Sequence, residues 1–67
     1  MIQQYFPGDK VLNIKPHYSD DMFLIELNQI GIIELVTLTD VTVLWPYGVR
    51  TTVSLSAVTP YQSQSKR

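Results

Sequence analysis

The stretch Val41-Thr42-Val43-Leu44-Trp45-Pro46-Tyr47-Gly48-Val49-Arg50-Thr51-Thr52-Val53-Ser54-Leu55 decides the architecture. Before Pro46, the residues Val41, Val43 and Trp45 alternate with Thr42 and Leu44. After Gly48, the residues Thr51, Val53 and Leu55 alternate with polar neighbours. A period of two places each set on one face of an extended strand. Between the runs, Pro46 suits the first corner of a turn and Gly48 admits a positive φ. The segment therefore reads as a hairpin with one apolar face.

The same pattern extends outward in both directions. Gly31 to Leu38 reads as a long strand whose apolar set changes phase between Ile33 and Val36, which signals a bulge or sharp bend. Asn28-Gln29 reads as a tight reversal. Met22 to Leu27 reads as extended, with Phe23, Ile25 and Leu27 alternating, and Pro16 to Asp21 as a polar loop. Lys10 to Ile14 is the first strand, entered through the turn Pro7-Gly8-Asp9. Beyond the hairpin, Ser56-Ala57-Val58 fits one turn of 3₁₀ helix, and Thr59-Pro60-Tyr61 a short edge strand that tolerates proline. Val, Ile and Thr supply 19 of the 67 residues, and such β-branched side chains suit a pleated surface. The expected fold is all-β: five short strands in a partly open barrel over residues 1–61, with an apolar extension at residues 22–27. A polar flexible tail is expected over residues 62–67. Closure limits the strand edges open to other chains.

Gly8-Asp9-Lys10-Val11, Gly31-Ile32-Ile33, Val41-Thr42-Val43-Leu44-Trp45 with Gly48, and Val53 with Ser56-Ala57-Val58-Thr59-Pro60-Tyr61 together resemble the SH3-like small β-barrel superfamily. The similarity is greatest to Tudor-like and KOW-like members and spans roughly residues 7 to 61. It implies the barrel fold. It implies three uses: a structural or accessory subunit of a larger assembly, viral assemblies included, a peptide reader built on an aromatic cluster, or a KOW-like nucleic-acid module. Tyr47 stands where those families carry an acid after the tryptophan, and the apolar run from Met22 is unusual for the first long loop.

The charge is five basic against six acidic residues, a formal net of −1. No Lys or Arg lies between Pro16 and Val49, whereas Asp20, Asp21, Glu26, Glu34 and Asp40 do. Binding phosphates requires clustered cations that displace counterions, so the balance argues against nucleic acid. No apolar run approaches the length of a membrane span. Without cysteine, signal segment or glycosylation sequon, the expected compartment is intracellular, in the cytoplasm or within an assembly.

The sequence offers little for chemistry. His17 is the single histidine, next to Asp20 and Asp21 in a segment read as solvated loop, and falls short of a metal site. Glu26 and Glu34 would face each other only if Leu27 to Ile30 were a tight hairpin. The serines lack a nucleophile elbow, and the three glycines form no phosphate loop. One SH3-like enzyme is known, a plasmid-borne dihydrofolate reductase, but its Val-Gln-Ile-Tyr ligand stretch is absent here. The expectation is a non-enzymatic chain with no cofactor, metal or small-molecule substrate. It binds a protein partner or itself, as a homo-oligomer. The expected contact residues are Tyr18, Phe23, Ile25, Trp45 and Tyr47. Phe23 and Ile25 represent the apolar run, which a barrel this small cannot bury on both faces. The three other residues represent an aromatic cluster.

Overall fold

The computed structural model describes residues 5–61. Seven strands form in chain order: β1 (Lys10–Asn13), β2 (His17–Tyr18), β3 (Leu24–Ile25), β4 (Ile30–Val36), β5 (Asp40–Trp45), β6 (Val49–Ser54) and β7 (Val58–Pro60). Short 3₁₀ turns occupy Pro46–Gly48 and Leu55–Ala57. Five strands make one antiparallel sheet in the order β6-β5-β4-β1-β7, and β2 and β3 make a separate two-stranded sheet. The outer strands β6 and β7 are not hydrogen-bonded to each other, so the sheet is not closed.

The decisive hairpin forms as its pattern requires. Trp45 pairs with Val49, Val43 with Thr51 and Val41 with Val53, and these pairs face the core. Val41, Val43 and Trp45 are buried together with Tyr5, Val11, Ile25, Ile33 and Val58. The register of β4 against β5 shifts between Ile33 and Leu35, where the apolar phase changes. Gly31 is part of the same design. A Cβ there would lie 2.6 Å from Trp45 Cε3 and closer still to Val43, so the indole packs directly on bare backbone. On the opposite face Leu12, Ile30, Ile32 and Leu44 form a partly exposed apolar strip along the register of β1, β4 and β5.

Three expectations need correction. The loop expected from Pro16 to Asp21 contains strand β2. The run from Met22 to Leu27 is not one strand: only Leu24–Ile25 pairs, and Met22 has a φ of 68°. Its residues therefore do not share a face. Ile25 is 2% exposed while Phe23 is 55% exposed. Third, the expected five-stranded barrel does not close, because β6 and β7 remain unpaired borders of an open sheet. Glu26 and Glu34, which could have faced each other only across a tight hairpin, do not meet, since Ile30 pairs with Leu12 and Glu34 is bound to Arg50. The expected tail at 62–67 lies outside the described residues.

Candidate protein-docking groove

The hairpin β2–β3 is positioned by polar side chains anchored in the sheet. Asn13, fully buried at the end of β1, donates from Nδ2 to the carbonyls of Ile25 at 3.1 Å and Glu26 at 2.9 Å. A buried amide must be satisfied, so Asn13 fixes the base of the hairpin.

The other anchor is a relay through Thr51. Trp45 Nε1–H donates to Thr51 Oγ1 at 2.7 Å. His17 Nε2 lies 2.9 Å from that same oxygen, and His17 Nδ1 lies 2.9 Å from the Lys15 carbonyl. The carbonyl can only accept, so Nδ1 carries the proton. In the neutral ring Nε2 then accepts the Thr51 hydroxyl proton. The ring also meets Trp45 edge-on, with centroids 6.0 Å apart. His17 is thus a half-buried structural link rather than the solvated loop residue its setting suggested. No contact pattern at short range could have revealed this, because Thr51 lies 34 positions away.

At the hairpin tip, the Ser19 amide donates to the Phe23 carbonyl, the Met22 amide to the Ser19 carbonyl, and the Phe23 amide to Ser19 Oγ. This closed turn carries Asp20, Asp21, Met22 and Phe23 toward the turn between β5 and β6. There Tyr47 has a φ of 71° and is 95% exposed.

A continuous groove follows. One wall is Tyr18, Asp20, Asp21 and Phe23; the other is Tyr47 and Arg50 to Thr52. Arg50 is already committed: its Nε donates to Glu34 Oε1 at 2.6 Å, and that bond raises its pKa further. Asp20 and Asp21 have no ion-pair partner among the described residues, so the groove is acidic with aromatic ends.

The expected contact residues divide cleanly. Tyr18, Phe23 and Tyr47 line the groove and are exposed. Trp45 and Ile25 are each 2% exposed and belong to the core. Trp45 continues the Val41–Val43 face onto Gly31, and Ile25 is turned inward by pairing with His17. Among the described residues no group of three or more metal-ligating side chains comes together, and no helix is long and apolar enough to cross a membrane. Comparison with family models, curated proteins and solved structures returns no match.

Proposed function

We propose that this chain is a non-enzymatic, SH3-like protein-interaction module, a small structural or accessory subunit that docks a protein neighbour in the groove between the hairpin tip and the Pro46–Gly48 turn. The five-stranded antiparallel order and the 3₁₀ turn before the last strand support the SH3-like reading. With Trp45 in the core, an aromatic cage would lack its tryptophan, which favours docking over methyl-ammonium reading.

One observation carries the proposal. Met22 and Tyr47 are large apolar residues at φ 68° and 71°, and they are 72% and 95% exposed. A left-handed backbone costs a non-glycine residue roughly 1 kcal/mol or more. Folding gains nothing in return, since neither side chain is buried. Tyr47 lines the groove, and Met22 lies between Asp21 and Phe23, which line its other wall, so a partner seated there would reach both.

The test is the double variant Met22→Gly, Tyr47→Gly. Its thermal melt is expected to match or exceed that of the parent, because glycine relieves both left-handed positions. A peptide library panned on the parent chain should yield binders that the variant fails to hold and that shift the amide resonances of Tyr18, Phe23 and Tyr47. A lower melting temperature would assign these side chains to folding. Binders held equally by both proteins would place recognition elsewhere.

A further inference from the structure

The two borders of the main sheet are unequal. β7 is three residues long and carries Pro60, which cannot donate a hydrogen bond. Short edges and prolines are how sheets avoid pairing with other chains. β6 has neither protection. It runs six residues, Val-Arg-Thr-Thr-Val-Ser, with high β-propensity, no proline and one charge that is tied to Glu34.

The direction of its free groups follows from the register. Leu55 N–H donates to the Thr39 carbonyl at 3.0 Å, in line with the pairing of β5 and β6. In an antiparallel ladder, hydrogen-bonded and non-hydrogen-bonded pairs alternate. Val49, Thr51 and Val53 therefore turn their backbone groups toward β5. Arg50 and Thr52 turn theirs outward. In this register the backbone groups of neither residue are directed at β5, and no turn or loop bond among the described residues reaches them.

We propose that β6 pairs antiparallel with β6 of a second copy, giving a two-fold dimer with a continuous ten-stranded sheet. The sequence is self-complementary in one register, with Thr51 facing Thr51 of the second copy on the axis. Arg50 then lies opposite Thr52 of the second copy, and Thr52 opposite Arg50 of the second copy. These are hydrogen-bonding pairs, so the outward groups of Arg50 and Thr52 in each chain find partners, while Ser54, outward by the same alternation, lies beyond the paired stretch. Val49 meets Val53 of the second copy on the inner face, covering two half-buried side chains. The charges agree as well. Arg50 of the second copy, with its Nε held by its own Glu34, brings its remaining guanidinium N–H groups beside Thr52 and Thr42, in the cleft whose other wall carries Asp20. The two arginines are offset along the ladder and do not face each other. An isologous contact of this kind closes on itself rather than growing into a fibre. Arg50 to Thr52 also wall the groove described above, so pairing here and docking there compete for one surface, and the oligomeric state tests the pairing separately from peptide binding.

The test uses the full chain. Light scattering should report twice the chain mass at high concentration. Hydrogen exchange should show the Arg50 and Thr52 amides protected, with protection on the order of 100-fold that declines on dilution, as subunit linkage requires. Thr52→Pro deletes one outward N–H and leaves the bonds to β5 intact, so it should be monomeric. Thr52→Ala keeps the N–H and should remain dimeric. Should Thr52→Pro not fold, exchange in the parent decides the matter alone. A parent that stays monomeric with fast exchange at both amides overturns the proposal, and leaves the edge to a strand from a different protein. A dimer with both amides unprotected, or one that survives in folded Thr52→Pro, overturns it in favour of another face.

Discussion

Tyr5 packs in the core cluster, yet its hydroxyl has no hydrogen-bond partner among the described residues. Leaving a buried polar group unsatisfied costs about 1–3 kcal/mol. The same burial raises the Tyr5 pKa above 10.0, and the charge on Asp9 raises it further. The sign of the pH effect is fixed by which state loses its proton first. Between pH 10 and the raised folded value, the unfolded chain is ionised at this position and the folded chain is not. The folded state then binds more protons, so stability falls as pH rises through that window. Tyr5→Phe removes both penalties. Its melting temperature at neutral pH should equal or exceed the parent's by the equivalent of about 1 kcal/mol. The parent should lose ground to this variant above pH 10, measured by paired melts in alkaline buffers. A variant markedly less stable than the parent at neutral pH would mean that the hydroxyl has a partner after all.

At the scale of elements, the hairpin β2–β3 is held to the sheet by side chains more than by backbone. His17, Thr51 and Trp45 form one directional chain of hydrogen bonds. Thr51→Val keeps the volume and strand propensity but removes the hydroxyl that links the two rings. The Trp45 N–H is then buried without an acceptor, at a cost of about 1–3 kcal/mol. Exchange of the β2 and β3 amides should accelerate more than that of β4 and β5. Uniform acceleration would instead make the hairpin and sheet a single unfolding unit. This element also marks where the sequence stopped being legible. The β5–β6 hairpin and the β4 bulge were readable because long alternating runs carry a period, and a bulge breaks that period visibly. β2 and β3 pair over two residues each, too short for alternation to register. Met22, in left-handed backbone, interrupts the phase just before β3. Alternation within Phe23, Ile25 and Leu27 was real in the letters but did not say which side faces the core. That was decided by His17, whose own direction depends on Thr51. Of the expected contact residues, the exposure of Tyr18, Phe23 and Tyr47 was legible because each sits at or beside a turn where burial is hard to achieve. Trp45 and Ile25 went inward for reasons of long-range pairing.

For the whole molecule, the placement of charge bears on the nucleic-acid alternative that the KOW-like resemblance raises. Lys10 stands beside Ile32 on the outer sheet face, Lys15 lies in the link between β1 and β2, and Arg50 is held by Glu34 across from Asp20 and Asp21. The described cations form no stripe, and the groove that could take an extended ligand is acidic. Its walls would repel a phosphate backbone. Lys66 and Arg67 lie outside the described residues, and two further charges release few counterions, each contributing a slope of only about −0.7 to −0.9 in log affinity against log salt. Protein surfaces fit the molecule better. It carries a partly exposed apolar strip at Leu12, Ile30, Ile32 and Leu44, an aromatic groove and an open strand edge, which is a large contact load for 67 residues. Anisotropy titrations with a fluorescent single-stranded RNA and a DNA duplex at physiological salt should therefore give dissociation constants no tighter than about 10⁻⁵ M, within the range of non-specific binding. A sub-micromolar constant would overturn this reading. Repeating it on a chain shortened to Tyr61 would then locate the cause: lost affinity assigns it to Lys66 and Arg67, while retained affinity requires that Lys10, Lys15 and Arg50 converge on the ligand despite Glu34.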